Sequence, residues 1–381
     1  MIKVILLIDC ASEFDRKLLR GMMRYSRENG SWLFYRMPSD FRLGQSREEW
    51  VVEWARKWKA DAVIGRWDEG KSDLLDQLDI PVVLQNIKSR SGVYSNLTGD
   101  YEGTGRMAAR YFRRKLFTEY AFFGVKHVIW SEERKKGYME EVLSGNARFY
   151  LYEEEPAVGD DRSRIIKWLK SLPKHTAMFC CDDAHALYIT EACMMADINV
   201  PEDIAILGVD DDELLCSISD PQISSIQLDV EQGGYMTCKC LHQQILSRDR
   251  EPFDISICPL GIKERSSTLV YNTSDKEVRK LIRYIDENYH KDITMDEVLH
   301  IVPLSRRSVE MRFKKETGVS IYQYLLGVRV DHLAYLLSTT DLPFADIAYE
   351  SGFRDLANVA RTFRKYKGCT PREYRKRFSM I

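Results

Sequence analysis

Up to about residue 266 the chain alternates short runs of β-branched and apolar residues with stretches of helical periodicity, and then the strand-like runs stop. The runs are IKVILLI, SWLFYR, DAVIG, IPVVL, EYAFFG, ARFYLY, TAMFC and DIAILG; between them lie segments such as DRKLLRGMMRYSREN, REEWVVEWARKW and YEGTGRMAARYFRRK. Strands separated by helices cannot pair through tight hairpins, so this alternation predicts βαβ units and parallel sheet. The number of segments suits two similar lobes better than one sheet. In open sheets of this kind ligands sit beyond the carboxyl ends of the strands. The residues just after each run are therefore the first suspects for a site.

A polar stretch, KERSSTLVYNTS at 263–274, separates this region from one that is helical throughout. Val278, Leu281, Ile282 and Ile285 fall at i, i+3, i+4 and i+7. Thr294 with Glu297 has the spacing of a capping box, Pro303 ends the helix it opens, and Gly318 and Gly368 close two later helices. Those two helices begin at Ser305 and near Asp355, 50 residues apart. Each is preceded by a short helix and a break, the pattern of a duplicated helix-turn-helix. Charge divides at the same place: residues 276–381 carry 20 Lys plus Arg against 14 Asp plus Glu, although the whole chain is at −2. A cationic end on an acidic body suggests a polyanion as one partner.

In a helix-turn-helix the first turns of the second helix enter the major groove of double-stranded DNA. Those turns carry Arg306, Arg307 and Glu310 in the first unit and Arg354, Leu356, Ala357 and Arg361 in the second. Val309 with Phe313, and Val359 with Phe363, lie i to i+4 and face the core instead. Outward arginines can chelate guanine, and Ala357 can touch a thymine methyl. Arg312, Lys314, Lys315, Arg364, Lys365 and Lys367 are placed for phosphate. A connecting helix of about 18 residues is roughly 27 Å long, near the roughly 34 Å between successive major-groove turns. IAYESGFRDLANVARTFRKYKGCTPREYR, Ile347–Arg375, resembles the signature of AraC-type transcription regulators, and SRRSVEMRFKKETG resembles their first recognition helix. One departure is Val359, where an aromatic residue is usual.

The front of the chain carries a second resemblance. VPEDIAILGVDDDELLCSISDPQISSIQLDVEQGGYMTCKCL, Val200–Leu241, is similar to the corresponding segment of LacI/GalR-type effector domains, which share the periplasmic sugar-binding fold. ERKKGY matches their Arg-containing motif at Arg134. CDDAHA matches an Asn-Asp motif, with Asp182 in the asparagine position. NLTGDYEGTGRMAARYF, Asn96–Phe112, fits their hinge entry at Asp100. Taken together, the two resemblances imply a two-lobed α/β periplasmic-binding-protein-like domain with parallel sheets, followed by an all-α double helix-turn-helix domain. The boundaries they imply are 1–266 for the sensor, with crossovers near 100, 228 and 259, then 267–276 for a linker and 277–381 for the DNA reader.

The resemblance also implies roles. Asp210, the first acid after DIAILG, accepts hydrogen bonds from sugar hydroxyls, Arg134 donates them, and Asp182 joins the site. Asp183 lines the pocket or caps the helix from Ala184, and Asp211 and Asp212 begin the next short helix. Trp67 and Trp130, at strand ends, are candidates to cover an apolar sugar face. Trp50, Trp54 and Trp58, at i, i+4 and i+8, predict a buried helix face instead. The order of sensor before reader, with the aromatic-Asp-Arg run Phe14, Asp15, Arg16 after the first strand, resembles sugar-operon activators and implies D-xylose or a related pentose as effector. It further implies a homodimer, and RNA polymerase as a partner if the chain activates.

Other functions meet specific obstacles. The nine cysteines include no CxxC and no cluster with His at zinc spacing, so reduced thiols in a cytoplasm are expected, with no metal and no cofactor. No apolar run is long enough to span a bilayer. An aspartate run after a strand can hold Mg²⁺ for phosphoryl transfer, yet there is no Walker loop, GxSxG or HExxH, and Asp9 lacks an acidic partner because residue 11 is Ala. A third reading is a constitutive DNA binder whose front domain only dimerises.

Overall fold

The structure is a computed structural model and describes residues 1–37, 47–145, 147–155, 162–247 and 250–378. It divides into two compact units, one formed by residues 1–111 with 118–269 and the other by 112–117 with 270–381.

Among the described residues the first unit holds twelve strands: β1 Ile2–Leu7, β2 Trp32–Arg36, β3 Ala62–Gly65, β4 Val82–Leu84, β5 Ser95–Gly99, β6 Glu119–Val125, β7 Arg148–Glu154, β8 Thr176–Cys180, β9 Ile204–Val209, β10 Ser224–Leu228, β11 Asp254–Ile257 and β12 Pro259–Lys263. They form two six-stranded sheets, ordered β11-β5-β4-β3-β1-β2 and β12-β10-β9-β8-β6-β7. Neighbouring strands pair in parallel except β10 with β12, which is antiparallel. The connecting helices are α1 Glu13–Asn29, α2 Arg47–Trp58, α3 Tyr101–Arg114, α4 Ile129–Leu143, α5 Arg162–Ser171, α6 Asp183–Met195, α7 Glu213–Ile218 and α8 Val230–Ser247. The chain crosses between the sheets three times: after β5, after β10, and between β11 and β12. Each lobe has its own apolar core, one around Ile5, Val51, Val63 and Trp67 and one around Phe123, Met178, Ile189 and Ile206.

Two close approaches set the second lobe's geometry. A Cβ on Gly105 of α3 would lie 2.1 Å from the carbonyl oxygen of Arg134, and one on Gly137 of α4 would lie 2.0 Å from that of Glu102. Only residues without a side chain let these helices meet so tightly, and the contact seats the turn that carries Arg134. Trp50, Trp54 and Trp58 are half-buried rather than sealed in. The fully buried stripe of α2 is Val51, Val52 and Ala55, with the tryptophans packed at its edge and Trp54 and Trp58 against Tyr35.

The second unit is helical: α9 Lys276–Asn288, α10 Met295–His300, α11 Arg306–Thr317, α12 Ile321–Thr339, α13 Phe344–Glu350, α14 Leu356–Lys367 and α15 Pro371–Phe378. The Thr294–Glu297 capping box forms, Ser305 and Asp355 cap α11 and α14, and both helices end on a glycine at φ +76. Val309 and Phe313 enter one core, Val359 and Phe363 the other. No helix among the described residues is long and apolar enough to cross a membrane.

Candidate functional site

The aspartates that follow β9 do three different things. Asp210 and Asp211 both have positive φ, +103 and +48, a region that Asp tolerates better than most residues but still at a cost of about 1–3 kcal/mol. The loop holds this shape because each amide of the run has a partner. Asp210 N donates to Ile226 O at 2.9 Å, Asp211 N to Ser225 Oγ at 3.0 Å and Asp212 N to Asp183 Oδ2 at 2.8 Å. From the first lobe Lys17 Nζ donates to the carbonyls of Asp210 and Asp211 at 2.8 and 3.2 Å, and Arg16 lies 3.6 Å from Asp212. Asp212 caps α7. Asp211 does not begin the helix, as its position suggests; its carboxylate accepts from Arg265 at 2.6 Å and Gln227 at 2.9 Å. Burial alone would raise its pKa, and those hydrogen bonds with the Arg265 charge hold it below the usual carboxylate range.

Asp210 is left to face Arg134. Its Oδ1 lies 3.6 Å from Arg134 Nη2, beyond hydrogen-bond distance, and accepts no hydrogen bond from the described residues. Burial raises its pKa to about 7, against the lowering pull of Arg134 and with the repulsion of Asp182. Arg134 is 3% exposed, its Nη1 donates to Cys181 O at 2.5 Å, and its Nε has no partner among the described residues. The guanidinium lies 5.5 Å from the ring centroids of both Tyr101 and Trp130. That places Trp130 with Arg134 in a cation–π arrangement.

Asp182 caps α6, and its Oδ1 accepts from His185 N at 2.8 Å and from His185 Nδ1 at 2.7 Å. Burial works against the charged imidazole, yet Cys181 and Asp182 push its pKa up to about 11. Ligand atoms of Cys181, Asp182 and His185 lie within 4.8 Å of one another, a donor set that no sequence spacing suggests. Asp182 and His185 are engaged with each other there. Asp183 neither lines an open pocket nor caps the helix. It is 1% exposed, accepts from Ser225 Oγ at 2.6 Å and from Asp212 N, and is held well above the usual carboxylate range by burial and then by Asp210. Its carboxyl anchors the aspartate loop.

In the first lobe, Phe14 is half-buried on the first turn of α1. Asp15 is 1% exposed, 3.4 Å from Arg66, with its pKa raised by burial. Trp67 is a core residue rather than a pocket wall: it packs with Leu75 and Val82, and its Nε1 donates to Lys71 O at 3.0 Å. Sequence reasoning passed over three further residues that follow strand ends. Gln85 Oε1 and Asn86 Oδ1, just after β4, are buried without a hydrogen-bond partner among the described residues, and Tyr101 flanks Arg134. The strand-end rule, applied to IPVVL, would have found Gln85 and Asn86. The carboxyl ends of the two lobes also meet through Ile129 N to Ile87 O at 2.8 Å and through Arg90 to Glu133 at 2.5 and 2.7 Å.

In the second unit Arg306, Arg307, Glu310, Lys314, Lys315, Arg354, Leu356, Ala357, Arg361, Arg364 and Lys365 are all exposed on or beside α11 and α14. Arg306 pairs with Glu310 at 3.0 Å, Arg354 stacks on Tyr349 at 4.1 Å, and Arg312 lies 3.4 Å from Asp275, the cap of α9. Lys367 differs from its neighbours: it binds Asp331 at 2.5 Å and is largely covered, which removes it from the surface available to phosphate.

A family profile described as a periplasmic binding protein-like domain matches residues 109–268, and one described as a helix-turn-helix domain matches 299–377. A LacI family regulator of Enterococcus faecalis solved with bound ribose shares the fold of the first unit, at 21% identity and a TM-score of 0.57 over 72% of this chain and all of that one. The chain is a sugar-responsive DNA-binding transcription regulator in which a helix-turn-helix domain follows a periplasmic-binding-protein-like domain. Its likeness to particular regulators runs from end to end. It is 27% identical to the xylose operon regulatory protein of Escherichia coli K12 over 98% of this chain and 96% of that one, and 26% identical to that of Haemophilus influenzae over 98% of both. The solved structure of the xylose-binding transcription activator xylR matches at 26% identity and a TM-score of 0.61, covering 99% of this chain and 98% of that one.

Proposed function

We propose that the signal is D-xylose, bound where the carboxyl ends of the two lobes meet, and that the bound form activates pentose-catabolic genes. The observation that carries this reading is a group of buried polar atoms without hydrogen-bond partners among the described residues: Gln85 Oε1, Asn86 Oδ1, Arg134 Nε and Asp210 Oδ1. Buried polar atoms are normally hydrogen-bonded, and a polyhydroxylated ligand supplies donors and acceptors to such a set. Asp210 and Asp182 accept from hydroxyls, Arg134 donates, and Trp130 and Tyr101 offer ring faces. Phe14, Asp15 and Arg16 belong to the same effector site from the first lobe. The names of the end-to-end relatives support the pentose.

The sensor spans 1–266 together with residues 267–269 that pack against it, the remainder of the linker runs to 276, and the reader is 277–381. Arg306, Arg307, Arg354, Ala357 and Arg361 read bases while Lys314, Lys315, Arg364 and Lys365 hold phosphate. The protein acts as a cytoplasmic homodimer that recruits RNA polymerase and catalyses no reaction. A ligand shifts such a switch only by its differential affinity for the two forms, so sugar must bind the activating form more tightly.

Isothermal titration with D-xylose, L-arabinose, D-ribose and D-glucose, with Asp210→Ala as control, tests the reading. Saturable binding of D-xylose that the control abolishes is the expected result. Preference for another of these sugars removes the xylose assignment. Silence with all four favours the alternative in which the front domain only dimerises.

A further inference from the structure

The polar stretch after β12 looks like linker in the sequence, but its first residues are built into the sensor. Ser267 and Thr268 are fully buried. Ser267 Oγ donates to Ile206 O of β9 at 2.6 Å, Ser267 N donates to Gln222 O at 2.9 Å, and Ser224 N donates to Ser267 Oγ at 2.8 Å. The main chain of Arg265 exchanges two hydrogen bonds with Ser224 Oγ, at 2.8 and 2.9 Å. Its guanidinium divides between Ile223 O at 2.9 Å and Asp211 at 2.6 Å, and both side chains of that ion pair are 7% exposed. Glu213 also approaches Arg265, at 3.2 Å, but is two-thirds exposed and adds little there. The C-terminal stretch of the second unit starts at Val270.

We propose that Asp211 and Arg265 form the relay by which sugar occupancy at Asp210 reaches the root of the DNA-binding unit. The proposal rests on the sugar-sensing reading above. Asp210 and Asp211 are consecutive residues, both held at positive φ, so a change in the dihedrals of one redirects the carboxylate of the other. A sugar that draws on Asp210 must carry Asp211 with it or work against the buried pair with Arg265. Breaking such a pair from one side leaves a buried charge uncompensated, so the pair moves as a unit. Arg265 in turn is five residues before Val270 and is bolted to β10 by its own main chain. Coupling of this kind is reciprocal: a pull on the linker root must alter the affinity for sugar. The three aspartates then divide the work, with Asp210 meeting the ligand, Asp211 holding the linker and Asp212 capping α7.

Amide hydrogen exchange on the full-length protein, with and without saturating D-xylose, tests this without knowledge of the operator. In the unaltered chain, sugar slows exchange both in the loop at 206–216 and in the linker root at 264–269, each by about tenfold. In Asp211→Asn and in Arg265→Lys, which keeps the charge but loses the fork, the loop remains protected by sugar and the linker root no longer responds. Gln227→Ala removes the other donor to Asp211 and leaves the linker response in place. The relay is overturned if the linker root still responds in both variants, or if it never responds while the loop does. Loss of loop protection in the variants overturns it too, because the pair then only shapes the pocket. Absence of protection anywhere with all four sugars overturns the sensing reading itself, and with it the relay.

Discussion

The sensor and the reader use the same residue types in opposite ways. Arg134 is 3% exposed, flanked by two rings and opposed to a carboxylate, whereas the Arg306 side chain is 66% exposed and pairs only with neighbours at the surface. A neutral polyol offers no net charge, so the sensor gains selectivity from a few desolvated, charge-assisted hydrogen bonds with fixed geometry. A polyanion offers charge in excess. The reader therefore leaves its cations in water, where they cost little to keep and release counterions on contact. Burial makes the first kind of recognition short-ranged and insensitive to salt, and exposure makes the second long-ranged and salt-dependent.

The contrast can be broken or sharpened by experiment. The largest effect expected is from Arg134→Ala: D-xylose affinity falls by about a thousandfold, on the order of 4 kcal/mol for removing one partner of a buried charged pair, while sugar-free DNA binding is unchanged. Calorimetry and a fluorescence anisotropy assay on the same preparation check both halves. Next comes ionic strength. If Lys314, Lys315, Arg364 and Lys365 each hold a phosphate, as proposed, DNA affinity falls by about a hundredfold between 50 and 200 mM salt for one copy of the reader. Sugar affinity stays within about twofold, and an equal loss in both would dissolve the distinction.

Smaller effects follow from single groups. Because the Asp210 pKa is raised to about 7 in the sugar-free protein, the folded state holds that proton more tightly than the unfolded chain does. The group thus favours the folded form at acid pH, and that contribution is lost as pH rises through 7. Sugar binding needs the carboxylate as acceptor, so affinity rises roughly tenfold from pH 6 to pH 8 with proton release. Titration in buffers of different ionisation enthalpy reads that proton, and Asp210→Asn flattens the profile. Arg361→Ala relaxes sequence preference at one base pair by about 1–3 kcal/mol. Arg364→Ala weakens all sequences alike, and a binding-site selection experiment separates the two. Smallest, Gly318→Ala and Gly368→Ala each destabilise by about 1 kcal/mol, and equally. Both sit at φ +76 with open space where an alanine methyl would lie, so thermal melts of the two variants should superimpose.

Much of the fold is legible because it rests on local pattern. The eight apolar runs form β1 to β4 and β6 to β9, and the caps at Ser305, Asp355 and Thr294 lie where their side chains predict. The four strands that such runs do not reveal, SNLTG, SSIQL, DISI and PLGIK, are short and partly polar. Their strand character comes from partners far away in sequence, such as Asn96 beside Asp254 in β5 and β11. Its place after a strand makes Trp67 resemble a pocket wall, yet its neighbours close over it. Lys367 follows Arg364 and Lys365 and so resembles a phosphate ligand, yet Asp331 reaches it from another helix.

By itself the sequence determined the class of each half and the register of the recognition helices, since hydrophobic period, caps and family motifs are written in adjacent residues. It also singled out Asp210 and Arg134, 76 positions apart in the chain. Only the tertiary structure decided which of the adjacent carboxylates faces Arg134 and which is spent on Arg265 or on a helix cap. The reason is physical: neighbouring aspartates are chemically the same until burial, backbone dihedrals and partners brought from residues 134, 183, 225 and 265 give each a different field.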